Sequence, residues 1–328
     1  MRELSGITEA RMKLQLSASG WVLSRFPRRL VTFLAGGIFL WIIYSSWRDI
    51  SSFNWKIDLS WLLLSVVMLQ LAFLTGALGW NIILRSMGID LPFATVLRIW
   101  LTSQLGKYLP AGTVFYIAGR VALCARVGIG TSLAATSLLL EMVFLILGGT
   151  GFFLLTLPGW WQQANTIVVL LAVLVVLTCA AFLWQPVFEY VMEKAHNLVG
   201  ADFGGVSLQP KMVVLAALYY VAQWAILGYA FFVLLGALYP VVPSQAPAVA
   251  GTFAISCVIG YLVILAPGGI GVREAGLVSL LAGFFPLPVA MAIAVMSRMW
   301  YSVCEALCAL GASMGVDLPE PQSRVRRP

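Results

Sequence analysis

The sequence predicts an all-α polytopic membrane protein, on three observations. Of its 328 residues 61% are hydrophobic and only 10% charged. The apolar residues gather into segments long enough to cross a bilayer. The basic residues collect at the two ends of the chain. Soluble domains carry roughly 25% charged residues, so this chain cannot clothe a globule with solvated side chains and needs a low-dielectric surround.

A spanning helix takes about 20 mostly apolar residues. Six segments meet that length: 30–47, 60–84, 131–157, 165–184, 212–238 and 289–314. Two more regions are apolar but broken. Region 93–126 is interrupted at Leu109-Pro110-Ala111-Gly112, and region 247–285 at Ala266-Pro267-Gly268-Gly269-Ile270-Gly271. Proline removes a backbone donor and clashes with the preceding turn, while glycine admits angles that end a helix. Such breaks survive inside lipid only where protein or a wet cavity satisfies the freed backbone groups.

Charge orients these segments. Residues 1–29 hold Arg2, Arg11, Lys13, Arg25, Arg28 and Arg29, and the tail 315–328 holds Arg324, Arg326 and Arg327. Basic flanks stay cytoplasmic, which predicts both termini inside a bacterial inner membrane. The run 30–47 is too long and aromatic for a cleavable leader. Both ends of region 93–126 are basic (Arg98, Arg126) and favour the cytoplasm, so this region reads as a re-entrant hairpin. Loops 158–164 and 239–246 carry no charged residue, and Trp160 and Trp161 fit an aromatic belt. Region 247–285 then starts and ends outside, as a hairpin from the opposite face. Six spans plus two Pro/Gly-broken hairpins make an inverted repeat, about 30–157 and 165–314, within one transmembrane domain 30–314. That architecture places a binding site near the midplane. Glu141 follows Pro110 by 31 residues, and Arg298 follows Pro267 by the same 31. The alternative is eight continuous spans with ordinary kinks.

Composition excludes several function classes. Most of the net charge of +7 lies at the chain ends, +4 over 1–29 and +1 over 315–328, with no folded basic face for nucleic acid. Cys124, Cys179, Cys257, Cys304 and Cys308 lie in or beside apolar segments and read as packing residues. A single histidine, His196, stands in the polar loop 185–211, so neither a metal site nor a cofactor is expected. That loop is too short to bind a nucleotide and reads as partly helical. Gly148, Gly149 and Gly151 read as contacts for close helix packing.

Ionisable groups inside spans cost about 2.5–3.5 kcal/mol each on insertion scales, and they mark pathways or pairs. The candidates are Lys107, Arg120, Glu141, Arg273, Glu274, Arg298 and Glu305. Arginine holds a phosphate bidentately and lysine acts as a point charge. The helix start after each break also favours an anion. Lys107, Arg120, Arg273 and Arg298 are therefore the expected contacts of a lipid head group, beside Pro110, Gly112, Pro267, Gly268, Gly269 and Gly271 at the hairpin tips. Glu141, Glu274 and Glu305 would pair with the cations, be displaced by the head group, or carry a proton. The structural alternative is a set of buried pairs, Arg298 with Glu141 or Arg273 with Glu305.

The segment Gly106-Lys107-Tyr108-Leu109-Pro110-Ala111-Gly112, followed by Arg120 and Glu141, resembles the first signature of the lysylphosphatidylglycerol synthase transmembrane region family. Ala111 departs from the glycine expected there. The segment Ala266-Pro267-Gly268-Gly269-Ile270-Gly271-Val272-Arg273-Glu274 resembles the second signature. The likeness covers about 30–315, without the aminoacyl-transferring soluble domain. It implies translocation of a lipid, such as a phospholipid, a hopanoid or a polyprenyl-linked lipid. Membrane lipids are the expected partners, with a homo-oligomer or a lipid-modifying enzyme as further possibilities. Two other functions stay open. One is a scaffold subunit of a lipid- or polysaccharide-modifying complex. The other is an intramembrane transferase using Asp49 and Asp58. No catalytic set is evident, so the expectation is a protein that is not an enzyme.

Overall fold

A computed structural model of the chain describes residues 57–108, 112–160, 166–199, 209–262 and 271–314. The predicted span 30–47 and both basic termini lie outside these residues, as do Asp49 and Trp161. The described residues form helices and turns, with no strand.

Helix α1 (Leu59–Ser86) starts where Asp58 caps it, its carboxylate accepting from the N–H of Ser60 at 2.9 Å and of Trp61 at 3.2 Å. Asp58 is thus a helix cap. Helix α2 (Phe93–Gln104) continues into a 3-10 turn (Leu105–Tyr108), and α3 (Gly112–Arg126) follows the first break. Then come α4 (Thr131–Thr156), α5 (Thr166–Leu183), α6 (Gln185–Val199) and α7 (Pro210–Leu238). Helices α8 (Ala246–Leu262) and α9 (Val272–Leu281) flank the second break, and α10 (Leu287–Met314) ends the described chain.

Six stretches are long and apolar enough to cross a membrane: Leu59–Ser86, Thr131–Gly159, Thr166–Leu183, Pro210–Leu238, Pro243–Leu262 and Leu287–Ala312. Five coincide with predicted spans. The sixth is the first arm of the second broken region together with its leading turn. The other arms are short: α2, α3 and α9 have 12, 15 and 10 residues, or about 18, 22 and 15 Å of helix. Among the described residues, neither broken region is one continuous helix.

The arms fold back on each other. A Cβ on Gly106 would lie 2.6 Å from the backbone N of Tyr116, and Ser103 accepts from Arg120. Residues approaching the break from one side therefore meet residues leaving it on the other. In the second region Gly276 packs beside Ser256 and Ile259. Between regions, α1 lies against α7, α2 against α10, and α8 against α4. Close contact along α1 and α7 needs small residues: a Cβ on Gly79 would stand 2.9 Å from the Tyr220 ring, and one on Gly236 2.7 Å from Trp61. Gly148 and Gly149 serve α4 as expected, facing the Tyr220 backbone at 2.7 Å and Val258 at 2.7 Å, whereas Gly151 makes only an ordinary contact at 3.5 Å.

Large apolar side chains point outward at helical spacing. Leu63, Val67, Leu71, Leu74 and Leu78 do so on α1, and Ile167, Leu170, Leu174 and Leu177 on α5. Such stripes suit acyl chains. With the span lengths, they establish a multi-pass membrane protein. The polar loop after α5 holds α6, which turns Phe188 and Met192 into the core and leaves Glu193 and Lys194 exposed. Trp160 does not join an interfacial belt. It is buried, edge-on between Phe153 and Phe284 at 5.7 and 5.6 Å.

Candidate functional site: two buried charge clusters

The first cluster ties α2, α3 and α4 together. Arg120 on α3 and Glu141 on α4 form an ion pair, 0% and 2% exposed. Each carries further partners, as a buried charge requires. Trp100 Nε1 donates to Glu141 Oε1 at 2.6 Å, and the Tyr116 hydroxyl to Oε2 at 3.4 Å. Arg120 Nε donates to Ser103 Oγ at 2.9 Å. Its guanidinium lies over Trp80 and Tyr116, with centroids 4.8 and 4.7 Å away. Arg120 Nη2 alone of these groups is left without a hydrogen-bond partner among the described residues, and the pair fixes the second arm of the first region to the next span.

The second cluster lies on one face of α10. Arg298, Tyr301 and Glu305 fall at positions i, i+3 and i+7, which share a helix face. Glu305 is fully buried and pairs with Lys107 Nζ at 2.6 Å, joining the 3-10 turn of the first region to α10. Arg298 pairs with Glu274 of α9 at 3.3 Å. Glu274 also caps its own helix, Oε2 accepting from the N–H of Gly271 at 2.7 Å. Gly271 holds φ +84°, an angle that glycine adopts cheaply. The Gly271–Glu274 spacing in the second signature therefore supplies the one half of a capping box that glycine permits, the third-position carboxylate accepting from the N-cap N–H. One of the donors expected to attract an external anion is already occupied by Glu274.

Arg273 completes the cluster. It is 8% exposed, its Nη2 has no hydrogen-bond partner, and no carboxylate stands within ion-pair distance among the described residues. Its guanidinium stacks over Phe253 at 4.9 Å and Tyr301 at 5.4 Å. Lys107 Nζ lies 5.0 Å from that same Tyr301 ring, and Phe73 meets the ring edge-on at 5.2 Å. The charges of Arg273 and Arg298 act repulsively on Lys107.

Both broken regions thus deliver charge to one helix. All seven predicted ionisable residues fall in these two clusters, and all three carboxylates are paired with cations. The pairing differs from expectation, because neither Arg298–Glu141 nor Arg273–Glu305 forms. The helix that follows each broken region pairs with that region's own second arm, which directly precedes it in the chain. Gly112 opens α3, while Pro110, Pro267, Gly268 and Gly269 lie outside the described residues. Sequence reasoning missed Tyr301, Phe253, Trp100 and Tyr116. Tyr301 was findable, since it sits between Arg298 and Glu305 on their common face.

A family model, the lysylphosphatidylglycerol synthase TM region, matches residues 29–303 and spans both signatures. The chain belongs to that family. The lysylphosphatidylglycerol synthase TM region match ends two residues before Glu305 and includes every other residue of the two clusters. A comparison with curated proteins finds no match. Membership places the chain among lipid-related membrane domains. The first signature combines a close-approach glycine, Gly106, with the Lys107 that reaches α10. The second combines the Glu274 cap with the buried Arg273.

Proposed function

We propose that the protein is a lipid transporter that lets a lipid head group cross the inner membrane through a polar path, with the acyl chains remaining in the bilayer. One observation carries this reading: two separately broken helical regions send charges, half-buried Lys107 from one and buried Arg273 with half-buried Glu274 from the other, to a single face of α10. Burying ionisable groups amid apolar helices is costly, and a head group that uses them is the function that offsets the cost.

The packing pattern supports an inverted repeat of two re-entrant hairpins. The α1–α7 contact joins equivalent helices of the two halves, and α2–α10 mirrors α8–α4. The two hairpins carry equivalent ties of opposite polarity. Arg120 on α3 holds Glu141 on α4, and Glu274 on α9 holds Arg298 on α10. Rocking of one half against the other would alternate access to the site between them. Both termini are placed in the cytoplasm by their basic residues, and membrane lipids are the expected partners. No chemical step is assigned to the protein.

The test is head-group accessibility in sealed vesicles containing purified full-length protein. A labelled phospholipid in the inner leaflet is expected to reach the outer leaflet at least tenfold faster than in protein-free vesicles. Equal rates for every lipid class tried, native lipid extract included, would remove the transporter reading. They would favour a scaffold.

A further inference from the structure

The second cluster carries more positive than negative charge. Among the described side chains, Lys107, Arg273 and Arg298 face Glu274 and Glu305, leaving one cation in excess. The surplus has an address. Glu305 and Glu274 each contact a different cation, whereas Arg273 is more than nine-tenths buried with an unpartnered Nη2 and no ion pair. An uncompensated guanidinium in an apolar interior is costly. Aromatic faces return part of that cost when desolvated. Phe253 and Tyr301 supply two such faces and hold the group in one orientation.

We infer that this cluster is a binding site for a lipid phosphodiester, with Arg273 as its principal contact and Lys107 as the second. The inference rests on the transporter reading for its setting and deepens it by naming the ligand's charge and chemistry. A phosphodiester carries one negative charge, which matches the single surplus cation. It has two unesterified oxygens, suited to a planar guanidinium fork. Arg273 and Lys107 both stand beside one ring, at 5.4 and 5.0 Å from its centroid, close enough for the Arg273 charge to act on Lys107, so an anion drawn to one cation also relieves the repulsion between the two. A phosphodiester also has two ester arms, one leading to the acyl or prenyl chain and one to the head group. A buried site between two helical halves can accept it mid-molecule. A neutral hopanoid offers nothing to Arg273. A phosphomonoester, with a second pKa near 6, brings up to a second negative charge that the cluster does not balance. Glu305 occupies Lys107 in the unliganded protein. The anion therefore competes with Glu305 for Lys107, and binding loosens the tie between the first hairpin and α10.

Full-length protein in detergent micelles is titrated with five probes: dioctanoyl phosphatidylglycerol, a short-chain polyprenyl-phosphate sugar, dioctanoyl phosphatidic acid, dioctanoylglycerol and oleate. Complexes are counted by native mass spectrometry. At least one diester is expected to bind at least tenfold more tightly than the other three probes, and the diester that does so identifies the source. Arg273→Gln is expected to lower diester affinity at least tenfold without changing dioctanoylglycerol binding. Arg273→Lys keeps the charge but loses the fork, so it should fall between. Equal wild-type affinity for diesters and dioctanoylglycerol overturns the site. So does tighter binding of phosphatidic acid or oleate, or an Arg273→Gln protein that binds diester like wild type. If Arg273→Gln fails to fold, the wild-type preferences and the Arg273→Lys variant decide. The vesicle assay separates the two readings. Diester binding without transport removes the transporter and leaves the site. Transport unchanged in Arg273→Gln removes the site and leaves the transporter.

Discussion

Arg120 and Glu141 show what a buried pair demands of its surroundings. Glu141 accepts from Trp100 and Tyr116, and Arg120 donates to Ser103, so removing either partner strands a charge in a space built for two. Arg120→Ala or Glu141→Ala is expected to cost about 3–5 kcal/mol, read as a lower thermal unfolding midpoint in detergent. Replacing both with leucine should restore most of the loss, because similar volume without charge leaves nothing stranded. At Gly271 the backbone itself is the constraint, with φ +84°. Gly271→Ala is expected to cost about 1–2 kcal/mol from the left-handed penalty. Glu274→Gln keeps the cap and loses the ion pair, so it should be milder than Glu274→Ala in the same melting experiment.

Helices meet in this fold wherever one of them gives up its side chains. Gly106 lets the turn before the first break touch the backbone of α3, with no room for a Cβ beside Tyr116. Gly148 does the same for α4 against the Tyr220 backbone. Backbone cannot swing aside as a flexible side chain can, so alanine at either position must push two helices apart. Gly148→Ala is expected to destabilise by about 1–3 kcal/mol, the usual cost of overpacking. Gly119, with nothing near its Cβ position, is the matched control and should tolerate alanine. The two sites are distinguished by thermal melts of the purified variants. Helix α5 is the opposite case. Most of its surface faces outward, and its attachment runs through α4 and α6.

The whole molecule is organised by which face of α10 is used, and by whom. Its inner face collects both hairpins through Lys107–Glu305 and Glu274–Arg298, while Val303, Leu307 and Leu310 point outward. Breaking the Lys107–Glu305 tie should therefore be felt across the protein, not locally. The orientation of the chain is separately testable. Single cysteines at exposed Ser244 and exposed Lys194 are expected to react with an impermeant thiol reagent from opposite sides of sealed vesicles, measured above wild-type labelling. Labelling from the same side would sink the inverted arrangement.

Length and polarity alone determined the membrane class, the positions of five described spans and the two places where helices break. These follow from what a bilayer requires of any segment, whatever its neighbours. The seven ionisable residues of the two clusters were legible for the same reason, since a charge among apolar residues stands out without a structure. Their partners were not. Glu141 has several cations within plausible reach along the chain, and only the fold-back of α3 onto α2 and α4 brings Arg120 to it. The role of Glu274 as a cap and the unpartnered Nη2 of Arg273 were equally hidden. Pairing is decided by distance between helices, and distance is a property of packing that no segment carries by itself.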